Sequence, residues 1–96
     1  MAIPLPVPPA VEGDKSAIEL LRVWAAHGKQ HVIIAANVWK DPGTWGIMLV
    51  DLAKHIASAY EQTTGADYVA TLNTIRKVVD IEWKHPTDEP TGNVLD

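Results

Sequence analysis

The rhythm of apolar and polar residues changes once along this chain, from a two-residue alternation in the first half to a helical period in the second. From His31 to Val38 the residues (His-Val-Ile-Ile-Ala-Ala-Asn-Val) are rich in β-branched side chains, bounded by turn formers and too short for a typical helix. They predict a strand. Residues 16–28 before them fit two states. As a helix, Ser16 would be the N-cap, Glu19 would close a capping box, and Gly28 would lie just past the end. As a strand, Leu21, Val23 and Ala25 alternate with Leu20, Arg22, Trp24 and Ala26. With Gly28-Lys29 as a two-residue type II′ turn, Leu21 faces Ala36, Val23 faces Ile34 and Ala25 faces Val32, apolar against apolar each time. A helix gives no reason for that match. A hairpin is therefore predicted, with strands at about residues 19–26 and 31–38.

Beyond Val38 the period lengthens. Asp41 is a good N-cap and Pro42 suits the first helical position, where its missing N–H costs nothing. Trp45, Met48, Leu49, Leu52, Ile56, Ala59 and Tyr60 then recur at three- and four-residue steps, which predicts a helix over about residues 42–62. Gly65 breaks it. Asp67 caps a second helix over about residues 67–85, with a stripe of Tyr68 or Val69, Leu72, Ile75, Val79 and Trp83, stopped by Pro86. The expected fold is α+β: a two-layer β-β-α-α unit over residues 16–85, an antiparallel hairpin covered by two antiparallel helices.

Flanking segments differ in character. Residues 1–15 carry Pro4, Pro6, Pro8 and Pro9, whose fixed φ and missing amide donors predict an extended, polyproline-like arm. Ile3, Leu5 and Val7 between them would let it lie over the body; a free tail is the alternative. Residues 86–96 are polar, acidic and proline-bearing, and predict a flexible tail. The hairpin's second face is also apolar, with Leu20, Trp24, Ala26, Ile33 and Ala35 around a single Arg22. A lone two-stranded ribbon is marginal in water, so a second copy is expected to complete the sheet, edge to edge or face to face. The arm folding back is the monomeric alternative.

Composition narrows the function classes. The 96 residues carry a net charge of −4 and no basic run, which excludes a general role on nucleic acid or anionic membranes. There is no cysteine, hence no disulfide, thiolate nucleophile or sulfur-ligated metal, and a small domain without disulfides fits the cytoplasm. The longest apolar run is Ile47 to Val50, far short of the ~20 residues that span a bilayer. Met1 to Pro6 lacks a basic n-region and does not read as a signal peptide.

The segment Trp39-Lys40-Asp41-Pro42-Gly43-Thr44-Trp45-Gly46, with Leu21-Arg22-Val23-Trp24 before it and Asp51-Leu52-Ala53-Lys54-His55 after it, resembles a family of short bacterial proteins classed as a domain of unknown function. The likeness runs from about Leu20 to Pro86. It implies a small two-layer α/β domain and carries no activity, cofactor or catalytic residue to transfer.

Each candidate for chemistry also has a structural explanation. A helix start with Gly43 and nearby Lys40 can hold an anion, yet Asp41 puts a negative charge at that spot, and Trp39 and Trp45 packing across the corner explains the segment on structural grounds. His55 is the best titratable candidate: Asp51 lies one helical turn before it and Ser58 three residues after. Neighbours on one helix splay apart, however, whereas a catalytic triad draws its members from different elements. His27 and His31 flank the hairpin turn on alternate faces without a third ligand, and His85 sits where it favours a helix C-terminus. Arg22 beside Trp24 calls for a carboxylate, an anion or a partner, and Glu19, Asp51 or a second subunit could answer it. No cofactor and no metal is expected. The leading reading is a homodimeric interaction or assembly module without chemistry, with Arg22, Trp24, Trp39, Lys40 and Trp45 at its interface or ligand surface. The alternative is a small enzyme or anionic small-ligand-binding protein whose pocket forms between subunits from His55, Asp51 and Arg22; besides a second copy, a protein partner or a small anion is left open.

Overall fold

A computed structural model describes residues 3–86 in full and the backbone of residues 91–95. A turn of helix, α1 (Pro9–Glu12), precedes strands β1 (Leu21–Ala26) and β2 (Lys29–Ala35). Two long helices follow, α2 (Gly43–Thr64) and α3 (Tyr68–Lys84), and then strand β3 (Thr91–Leu95). The chain is thus an antiparallel hairpin followed by two helices, the α+β order that the periodicities predict.

The hairpin register differs from expectation by two residues. Leu21 pairs with Ile34, Val23 with Val32 and Ala25 with Gln30. The turn is His27-Gly28, not Gly28-Lys29, and both residues have positive φ, 53° and 74°. Positive φ at both central positions is what a type I′ turn requires, and its twist suits a right-handed pair of strands. Because the slip is even, the faces are unchanged: Leu21, Val23, Ala25, Val32 and Ile34 still share one face.

Helix boundaries follow local chemistry. The Asp41 carboxylate accepts from the Gly43 N–H at 2.8 Å, and Pro42 is already helical at φ −60° and ψ −23°. Asp67 caps α3 by accepting from the Ala70 N–H at 2.9 Å. Gly65, left-handed at φ 74°, ends α2 while its N–H returns to the Glu61 carbonyl.

Two expectations need correction. The proline arm is not extended throughout: Pro9 at the first position of α1 starts a helical turn, which a fixed φ near −65° suits as well as polyproline. The flexible tail proposed for residues 86–96 falls partly outside the described residues, at 87–90 and 96, but Thr91–Leu95 forms β3 and pairs in parallel with β2. The sheet therefore has three strands in the order β1-β2-β3, with β2 in the centre and β1 and β3 at its edges. The two helices follow the hairpin as expected, but they leave its apolar face partly open, with Val23 53% exposed. α2 and α3 contact each other, yet neither brings a Cα within 8 Å of a strand Cα.

That separation leaves the chain without a shared core. Among the described residues only Ala57 is fully buried. The chain exposes 8453 Å², whereas a compact monomer of 10.5 kDa exposes about 5,400 Å². Its radius of gyration is 15.2 Å, against about 12.5 Å for a compact chain of this length. About 3,000 Å² that a closed fold would hide is open to water.

Candidate functional site

Three apolar surfaces stand bare, each built by an ordinary element with one side left over. The first is the hairpin face of Leu21, Val23, Ala25, Val32 and Ile34, where Val23 is 53% exposed. The second is a groove of about 360 Å³ between the long helices, formed by Leu49, Val50 and Ala53 of α2 and Leu72, Ile75 and Val79 of α3. Lys54 and Arg76 stand among its lining. The third is an open groove of about 370 Å³ between the arm and β1, where Ile3 and Leu5 remain almost wholly exposed. Amphipathic elements bury such stripes against another layer. Within this chain they do not.

Between sheet and helices, residues 36–42 form the connection. Its end is fixed by Trp39 and Trp45, whose rings meet edge to face with centroids 4.7 Å apart and planes at 69°. Both indoles are half-buried, and Lys40 between them is exposed. The Asp41 carboxylate is engaged by the Gly43 N–H, so the start of α2 already holds a negative charge.

Arg22 finds its partner three residues away. Its Nε donates to Oε1 of Glu19 and its Nη2 donates to Oε2 at 3.1 Å, a two-point contact between groups that are each more than half exposed. The Arg22 hydrogen bond, with its charge, holds the Glu19 carboxyl below the usual glutamate range. The same bond raises Arg22 further above its already high value. Trp24, its neighbour on β1, is half-buried opposite His31.

The histidine candidates do not gather. His55 and Asp51 are both exposed on α2, one turn apart, with no hydrogen bond or ion pair between them. Ser58 instead accepts from the Gln62 side-chain amide at 3.0 Å. Arg22 lies in the sheet, held by Glu19, and His55 on a helix with no Cα within 8 Å of a strand Cα, so the three do not gather within one chain. His31 places Nε2 3.2 Å from the Ala26 carbonyl oxygen, while His27 sits in the turn. His85 ends α3, its backbone N–H donating to the Ile81 carbonyl. No three His, Asp or Glu side chains among the described residues are grouped to hold a metal ion, and no described helix is long and apolar enough to cross a membrane. An uncovered second face of the hairpin is expected from the sequence; the openness of its first face and of the helix groove is not. Hydrophobic stripes were legible, but nothing local says whether two stripes of one chain will meet.

Comparison with known proteins agrees with the fold. The family described as a domain of unknown function (DUF5076) matches residues 4–87, a span that takes in the arm as well as the hairpin and helices. A solved structure of a provisionally named pyruvate dehydrogenase, from the photosynthetic bacterium Rhodopseudomonas palustrus CGA009, is 34% identical. It aligns over 95% of both chains with a TM-score of 0.71, so the likeness spans sheet and helix pair alike. A comparison with curated proteins finds no match.

Proposed function

We propose that this chain, which belongs to the DUF5076 family of domains of unknown function, is an assembly module that folds fully only as a homodimer and has no chemistry of its own. One observation carries the reading: about 3,000 Å² more surface is exposed than a compact chain of this mass needs, and much of it is apolar. Two such copies hiding that excess would bury several thousand Å², the range of obligate dimers. Its Trp39-to-Gly46 segment serves as a family signature because it fixes the exit of the connection onto α2. The bacterial source of the solved relative supports a bacterial family, and the lack of cysteine supports a reducing compartment such as the cytoplasm.

The alternative, an enzyme or anion-binding pocket between subunits, has less behind it. Arg22 is already held by Glu19, and Asp51 and His55 stand exposed without a convergent partner. The dehydrogenase name of the solved relative belongs to this alternative, and no set of described polar side chains gathers to support it. Sedimentation equilibrium at low micromolar concentration is the test. The expected result is a particle of twice the 10.5 kDa chain mass; a folded, cooperatively melting monomer defeats the proposal.

A further inference from the structure

We infer that the two layers stack between copies: the helix pair of one chain covers the hairpin of the other, reciprocally, about a two-fold axis. The inference rests on the dimer reading and specifies its geometry. Each chain supplies one apolar sheet face (Leu21, Val23, Val32 and Ile34) and one apolar helix groove (Leu49, Val50, Ile75 and Val79), in equal number. The four sheet-face residues are uncharged, with the Glu19–Arg22 pair beside Leu21 and Val23, and the groove's charges, Lys54 and Arg76, have long side chains whose heads can reach water past its edge. These layers are the natural halves of a β-β-α-α sandwich. In this chain no helix Cα comes within 8 Å of a strand Cα, and Val23, Leu49, Val50 and Val79 are each at least half exposed.

The connection between them is partly fixed. Residues 36–42 are short, and the Trp39–Trp45 contact with the Asp41–Gly43 bond fixes their second half against the start of α2. Only residues 36–38 remain to turn the helices back over their own hairpin. Exchange between copies forms the contacts of the closed sandwich without that reversal, which is why swapping is a low-cost route to a dimer. A like-with-like pairing, sheet on sheet or groove on groove, would leave the other layer of each chain still bare. Reciprocal stacking covers both kinds of surface in one assembly.

Because the chain has no cysteine, the geometry can be read with introduced thiols. Val23→Cys places one on the sheet face and Val50→Cys one in the helix groove, both at residues more than half exposed. The two variants are mixed, refolded together and treated with a short bismaleimide. The expected product is a covalent mixed pair that runs at twice the 10.5 kDa chain mass and yields a Val23→Cys to Val50→Cys peptide. Like-with-like pairs only, or a dimeric particle that does not cross-link, would overturn the exchange while leaving the homodimer standing. A monomer that cross-links internally in a chain carrying both Val23→Cys and Val50→Cys would overturn both. A second measurement needs no substitution: in a refolded mixture of labelled and unlabelled chains, isotope-filtered NMR should show Val23 or Val32 methyls near Leu49, Val50, Ile75 or Val79 of the other chain. Contacts of these methyls confined to one chain would likewise rule out the exchange.

Discussion

Trp39 and Trp45 meet edge to face at 4.7 Å across the first turn of α2 and clasp the end of the sheet-to-helix connection onto the helix. The contact is local in sequence, yet its consequence is global, because the direction in which residues 36–42 leave the sheet decides where both long helices go. An edge-to-face aromatic pair contributes about 0.5–1.5 kcal/mol beyond the area it buries.

The first prediction concerns that clasp. Trp39→Ala and Trp45→Ala should each destabilise the fold, and a double-mutant cycle in denaturant should give a coupling of about 1 kcal/mol. Additive losses would mean that the rings merely lie near one another. Retention of helix content by circular dichroism in both variants would show that the clasp sets direction rather than making α2.

The hairpin turn gives the second prediction. His27 has φ 53° and Gly28 has φ 74°, and only the glycine adopts such a conformation freely. Asparagine tolerates the left-handed region better than histidine, so His27→Asn should stabilise by roughly 0.5 kcal/mol. Gly28→Ala, with open space around the added methyl but a strained φ, should cost about 1 kcal/mol or more. Thermal melts at matched concentration decide both; a neutral Gly28→Ala would speak against the type I′ turn.

What local rules govern was readable in advance. Asp67 as a cap, Gly65 as a stop and the alternating apolar residues of β1 and β2 each act over four residues or fewer, and the order β-β-α-α follows from them. The register was harder. Gly28 can serve either turn, and nothing about a histidine at position 27 advertises positive φ, so the expected pairing lies two residues away with the same faces. Thr91–Leu95 reads as polar tail because its strand depends on an edge offered by β2, not on its own composition. The spacing of Asp51 and His55 was legible, while their lack of convergence is a property of side-chain directions around one helix. Least legible was the gap between layers, since a stripe that seeks cover does not say whose layer provides it.

The third prediction follows from Glu19. Its carboxyl is held below the usual glutamate range, first by the Arg22 hydrogen bond and then by the Arg22 charge. A depressed pKa gives a contribution that is present above the unfolded value and lost as pH falls through the folded one. Both groups are more than half exposed, so the contribution is small and salt should screen it. In an NMR titration the Glu19 midpoint should lie below those of the other glutamates and return to the ordinary range in Arg22→Gln. An unmoved midpoint in that variant would assign the depression to something else.

The fourth prediction tests whether stability belongs to one chain or two. For a two-state equilibrium between folded dimer and unfolded chains, each tenfold dilution lowers the apparent stability by about 1.4 kcal/mol. The folded unit in that equilibrium is two chains, and a fold of 150–250 residues loses roughly 2–4 °C of Tm per kcal/mol, so melting should fall by about 3–6 °C per tenfold dilution. Val23→Lys sets a charge in the middle of the uncharged sheet face, where the wild-type side chain is 53% exposed in the single chain. In an isolated chain that lysine would reach water at little cost. Under another chain's helices it must be buried or drive the chains apart, at a cost of several kcal/mol. A large drop in Tm for Val23→Lys together with concentration-dependent melting is the expected pair of results. If Tm is flat across a hundredfold dilution and the substitution is silent, the sheet face is not an interface, and the open arrangement of this chain is stable alone.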